Sequence, residues 1–132
     1  MTPKEVAIKT AFAYLGKPYL WGGDDPIDGF DCSGFVIECL KSAGALPRSG
    51  DWTAYQLYDR FRRVNSPAEG RLVFFGDPIS HVELCIDETF SIGASGGGSE
   101  TLNRETAIRQ NAYIKIRPIR PGAFGYAAPF AV

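Results

Sequence analysis

Phe30-Asp31-Cys32-Ser33-Gly34-Phe35-Val36-Ile37-Glu38-Cys39-Leu40 is the stretch on which the reading of this chain turns. From Cys32, the apolar or small residues Cys32, Phe35, Val36, Cys39, Leu40 and Ala43 fall at offsets 0, 3, 4, 7, 8 and 11, one buried stripe of a helix. Gly44 and Pro47 end it. Upstream lies a loop rich in Gly, Asp and Pro, Trp21 to Gly29. Cys32 therefore stands where a glycine-rich loop becomes a helix. A thiol there feels the partial positive charge of unpaired first-turn amides, which favours the thiolate. The amide of Cys32 can itself point at an oxyanion, because first-turn N–H groups have no helical partner. A buried structural cysteine is the competing reading, and Cys39 and Cys85 fit it. Cys39 is one helical repeat from Cys32, about 10 Å along the axis, too far for a disulfide.

Outward from this helix, Thr2-Pro3-Lys4-Glu5 reads as a capping box with Pro at the first helical position, opening a helix to about Leu15. Gly16 stops it, and Pro18 follows. A third, shorter helix is expected from Thr53 to Phe61, capped by Asp51 or Thr53, with Leu57, Tyr58 and Phe61 facing inward. After Pro67 the texture changes to strands: 71–75, 81–86, 89–94 and 112–117. Helices first and strands afterwards predict an α+β fold, with N-terminal helices packed on a mainly antiparallel sheet. Ser95-Gly96-Gly97-Gly98-Ser99 reads as a mobile loop and not a phosphate cradle, since no lysine follows in P-loop spacing. The tail, Pro121 to Val132, is expected to be irregular and to pack along the surface.

At 132 residues the chain is expected to be one domain, 1–132, and a monomer. Hydrophobic residues make up 45% and charged residues 22%, enough for a core that nine Phe, six Tyr and two Trp can fill. A net charge of −1 without a Lys/Arg cluster leaves no electrostatic footprint for nucleic acid. No stretch approaches the roughly 20 apolar residues of a membrane span. The amino terminus lacks the basic start and apolar run of a secretory signal, so delivery by another route, or removal of a signal, is expected. Three cysteines, with no Cys-x-x-Cys pair, argue against a disulfide framework and a zinc site, and leave at least one thiol free.

His81 is the single histidine. It follows Gly76-Asp77-Pro78 and opens an alternating strand, with His81, Glu83 and Cys85 on one face and Val82, Leu84 and Ile86 on the other. A lone histidine is more often structural than catalytic. Paired with a cysteine at a helix start, it supplies what a thiolate–imidazolium couple needs.

Gly16-Lys17-Pro18-Tyr19-Leu20-Trp21-Gly22-Gly23 followed by Phe30-Asp31-Cys32-Ser33-Gly34-Phe35-Val36 resembles the nucleophile motif of the NlpC/p60 family of papain-like cell-wall cysteine peptidases. Gly70 to Phe75 and His81-Val82 resemble the strand pair that brings in that family's histidine. The resemblance implies Cys32 as nucleophile and His81 as general base and acid. It implies Tyr19 as a hydroxyl near the thiol that helps hold the oxyanion, although Tyr19 could equally be a core aromatic. Asp31 and Ser33, with Trp21, are implied in binding the substrate, the first two at its free amine end; Asp31 would also serve as a helix N-cap. The implied substrate is the peptidoglycan stem peptide, cut between D-glutamate and the diamino acid, with no metal or organic cofactor. The 96–98 glycines and the Tyr126–Phe130 ending look similar to phage-associated members, which implies a phage lysin or tail-tip hydrolase acting on the wall.

One departure stands out. The family's third polar residue, which orients the histidine, is expected on the strand after it, where this chain has Gly93. Glu83, on the same strand face as His81, is the candidate to hold the ring or raise its pKa and is counted with the catalytic set. A backbone carbonyl, a water, a Glu83 that only narrows the cleft, and a solvated Glu83 are the alternatives. The missing residue also leaves open a degenerate peptidoglycan-binding module, and the pair alone would suit an amidase or acyltransferase.

Overall fold

Thr2 and Pro3 open the first helix: Thr2 Oγ1 accepts from the Glu5 amide at 3.2 Å, and Pro3 lacks only an N–H that would have no partner there. In chain order the elements are α1 (Pro3–Ala13), β1 (Asp24–Asp25), β2 (Gly29–Phe30), α2 (Cys32–Ser42), α3 (Ala54–Arg60), β3 (Arg62–Val64), β4 (Leu72–Phe75), β5 (His81–Cys85), β6 (Phe90–Ser95), α4 (Arg104–Arg109), β7 (Tyr113–Pro118) and β8 (Gly125–Ala128). The computed structural model describes residues 1–25 and 29–130. Pro26, Ile27 and Asp28 of the expected glycine-rich loop, and Ala131 and Val132 of the expected tail, lie outside the described residues.

The six-stranded sheet has the order β3-β8-β4-β5-β6-β7, and each of its described pairings is antiparallel. Helix α2 lies between α1 and the face of β5 and β6. Phe35, Val36, Cys39 and Leu40 of its stripe are fully buried, and Ile37 joins them because the helix is covered on two sides. Phe30, Phe74, Leu84, Ile92 and Ile114 complete one continuous core. The reciprocal capping box forms at α3, where Thr53 accepts from Gln56 and Gln56 accepts from the Thr53 amide.

One expectation needs correction. The tail is not irregular: residues 125–128 form β8, inserted between β3 and β4. Its Gly-Tyr-Ala-Ala sequence carries almost no alternation, so its strand state comes from pairing on both edges and not from local pattern. The glycine loop after β6 packs against the protein. Gly97 lies flat on the Tyr19 ring, where an added Cβ would come within 2.3 Å of it, and Gly98 N–H donates to Thr101 Oγ1 at 3.0 Å. Strand β3 and helix α4 were not anticipated, being three and six residues long and too short to show a period.

Leu40 is fully buried in the last turn of α2, and Leu102 is 68% exposed. Leu40→Ala is expected to lower unfolding stability by about 3 kcal/mol through lost burial and the cavity left behind. Leu102→Ala should stay within about 0.5 kcal/mol; urea denaturation of the two variants checks the placement of the core.

Candidate active site

Cys32 is the first residue of α2, and Asp31 caps the helix. Asp31 Oδ1 accepts from the Gly34 amide at 2.7 Å and from Ser33 Oγ at 3.3 Å. The cap satisfies the amide of the third helical residue and leaves the Cys32 N–H without a helical partner, at the point where Cys32 lines the cleft. Burial pushes the Asp31 carboxyl up, against hydrogen bonds from the Gly34 amide and Ser33. Cys39 and Cys85 are fully buried, burial pushing both thiols up, that of Cys85 to about 12. Cys32 is the partly exposed cysteine.

His81 begins β5 and lines the same cleft as Cys32, whose thiol lies 3.9 Å from the Ser80 carbonyl oxygen. Nε2 of His81 is 2.7 Å from Glu83 Oε2. A carboxylate can only accept there, so Nε2 carries the proton and Nδ1 is left for the thiol. Glu83 is 1% exposed and neither solvated nor part of the cleft wall, which removes two of the readings open for it. Its Oε1 accepts from Ser91 Oγ at 2.7 Å, and its Oε2 also accepts from Arg117 Nη2 at 3.1 Å. Burial opposes its ionisation, but the bonds and charge of His81, with Ser91 and Arg117, bring the carboxyl down to about 2. Burial likewise opposes charging His81, yet the bonds and charges of Cys32 and Glu83 push the imidazole up to about 9.

Gly93 explains how a buried glutamate fits. A Cβ at this position would sit 2.5 Å from Glu83 Cγ and 2.9 Å from its Cδ. The glycine is therefore the space that Glu83 occupies. The ring of His81 is held from its own strand, two residues on, and any side chain on β6 at this position would displace the carboxylate.

Tyr19 lies both in the core and at the cleft. It is 5% exposed within the core and still lines the cleft beside Cys32. Burial, with the charges of Cys32 and Asp31, pushes its hydroxyl up to about 12, so it remains a hydrogen-bond donor. Trp21 is 54% exposed at the cleft mouth, and Ser33 borders the cleft beside Asp31. The sequence reading missed Ser91, Arg117 and Arg120. Arg117 alternates with Tyr113 and Lys115 along β7, but only the register between β6 and β7, which sets Ser91 opposite Arg117, brings it to this face. Among the described residues no cluster of three or more His, Cys, Asp or Glu is arranged for a metal ion, and no helix is long and apolar enough to cross a membrane.

Residues 16–118 match the sequence model of the NlpC/P60 family. Over 90 residues the chain is 41% identical to the bifunctional muramidase/DL-endopeptidase CwlT of Bacillus subtilis (strain 168), covering 62% of this chain and 26% of that protein. The chain spans roughly a quarter of the length of such curated relatives. The peptidoglycan hydrolase RipB of Mycobacterium tuberculosis has a TM-score of 0.74 at 26% identity, over 96% of this chain and 63% of that one. RipD of Mycobacterium tuberculosis, a non-catalytic NlpC/p60 domain protein adapted to peptidoglycan binding, has a TM-score of 0.72 at 21% identity over 97% of each chain, a likeness of fold alone.

Since His81 is the single histidine, its proton NMR titration can be read without assignment. The midpoint is expected near 9 and should fall in Glu83→Gln and in Gly93→Ala, where the added methyl displaces the carboxylate. An unmoved midpoint in both variants would show that Glu83 does not hold the ring. The folded midpoint lies above the ordinary histidine value of about 6.5, so His81 stabilises the fold fully below that pH. The contribution is lost as pH rises towards about 9. Thermal melts should show Tm falling across this window, and falling less in Glu83→Gln.

Proposed function

The chain belongs to the NlpC/P60 family, and we propose that it is a cysteine endopeptidase of peptidoglycan, hydrolysing the stem-peptide amide between D-glutamate and the diamino acid. The observation that carries this reading is a Cys32 thiol and a His81 imidazole lining one cleft, with Nε2 of His81 2.7 Å from the buried Glu83 carboxylate. A module that only bound peptidoglycan would have no use for a buried carboxylate behind an imidazole. Burying that charge is costly unless it is paired.

In the proposed mechanism, Cys32 thiolate attacks the amide carbon, forming an Sγ–C bond. The Cys32 amide and the Tyr19 hydroxyl donate to the oxyanion as it develops. His81, held as imidazolium by Glu83, gives its proton to the leaving nitrogen as the C–N bond breaks. It then takes a proton from water, whose oxygen displaces the thiolate and releases the acyl group as a carboxylic acid. Glu83 is a positioning residue in this scheme: it fixes the ring and stabilises its positive charge without touching the substrate. Asp31 and Ser33 border the half of the cleft that takes the amine end of the stem, with Trp21 at the mouth.

Cys32→Ala is expected to lower stem-peptide hydrolysis by at least roughly 10⁴-fold with an unchanged melting curve. Iodoacetamide reports on Cys32 in the folded protein, because Cys39 and Cys85 are fully buried. Alkylation at neutral pH is expected to slow in His81→Ala relative to the wild type. Ordinary thiol behaviour indifferent to His81, together with no cleavage of stem peptides, would overturn the enzyme reading in favour of a binding module. Transfer of the acyl group to an added amine in preference to water would assign an acyltransferase.

A further inference from the structure

The cleft has two halves of opposite charge that meet at Cys32. One, of about 340 Å³, carries Asp31 and Asp51; the other, of about 500 Å³, carries Arg117 and Arg120. The basic half includes His81 and Phe75 in its wall. A leaving nitrogen must lie beside His81 to receive its proton, so this half holds the leaving-group side of the scissile amide. The inference thus rests on the proposed endopeptidase reading.

Among the described residues, the charges in the basic half do not balance. His81 as imidazolium, Arg117 and Arg120 are three cations, and the Glu83 carboxylate and the Cys32 thiolate are two anions. Arg117 spends Nη2 on Glu83, while its buried Nε has no partner among the described residues. Arg120 approaches Glu83 only to 3.9 Å, outside hydrogen-bond distance, and its guanidinium is stacked on the Phe75 ring with Cζ 4.4 Å from the centroid. That stacking restrains the fork and leaves its N–H edge without a hydrogen-bond partner among the described residues, and the side chain remains 44% exposed towards solvent. Ser95, 3% exposed, lines the same half, and its Oγ has no partner among the described residues. Burial and the Arg117 charge push Arg120 down, against the opposing charge of Glu83.

We propose that Arg120 and Arg117, with Ser95, form a subsite for a carboxylate on the leaving residue, namely the carboxyl on the carbon that bears the scissile nitrogen. A planar guanidinium held against an aromatic ring presents two parallel donors to a carboxylate, and neither arginine can offer an acceptor to a carboxamide N–H. The site therefore selects stems whose diamino acid keeps this carboxyl free over stems in which it is amidated.

The test compares L-alanyl-γ-D-glutamyl-meso-diaminopimelate with the same peptide amidated at that one carboxyl, so that the distal carboxylate is common to both. Binding is measured by calorimetry on Cys32→Ala protein, where no turnover intervenes. The free acid should bind at least roughly tenfold tighter, and Arg120→Gln should bring the ratio close to one. Equal binding of the two peptides, or a ratio that survives Arg120→Gln, overturns the subsite. Wild-type turnover of the same peptides reports separately on the hydrolase. A binding preference without cleavage leaves the subsite standing and removes the endopeptidase; cleavage of both peptides with equal kcat/KM removes the subsite alone.

Discussion

Glu83 is an ionised carboxylate with almost no access to water, and the arrangement around it follows from the need to keep that charge paired. Three strands contribute. Strand β5 supplies the glutamate and His81, β6 supplies the Ser91 hydroxyl and the empty space at Gly93, and β7 supplies Arg117. With Nε2 committed to the carboxylate, the imidazole has one orientation, and its other nitrogen turns towards α2. A buried charge of this kind is weak evidence for stability, since an apolar set of the same volume could serve the core as well. Its better explanation is the orientation and charge it imposes on His81.

The partner of that imidazole is placed by different physics. Helix α2 is buried on two sides, and Asp31 caps its start, so the backbone at Cys32 has little freedom. Gly97 packs on the Tyr19 ring and holds a hydroxyl donor near the thiol. The cleft is thus a seam between a helical layer and a sheet layer. The helical side brings the cap carboxylate of Asp31 and, beyond it, Asp51; the sheet side brings the arginines that follow from pairing around Glu83. The two signs of charge along the seam come from the two layers it joins.

The same fold carries hydrolases and, in RipD, a non-catalytic domain protein adapted to peptidoglycan binding. Backbone likeness therefore does not decide function, which rests on the side chains at the seam. Here the third polar group sits two residues beyond the histidine on the same strand, and a glycine stands on the neighbouring strand. Glu83 and Gly93 form one steric unit, since a side chain at 93 and the carboxylate at 83 would claim the same volume.

Much of this was legible along the chain. The period of α2, the cap at Asp31, strands β4 to β7 and the cysteine at the helix start all depend on neighbours within about one turn or one strand, and such signals survive in a linear reading. The Trp-Gly-Gly and Asp-Cys-Ser-Gly runs were legible for the same reason. What the sequence could not decide is what depends on register between strands far apart in the chain. Strand β8 has no pattern of its own and becomes a strand because two edges accept it. Glu83 read equally well as a solvated charge or an orienting one, and Gly93 read as a loss, until the pairing of β5, β6 and β7 set them against each other with Arg117 alongside. A shift of one residue in either pairing would turn these side chains to opposite faces, so tertiary structure alone could choose between those meanings.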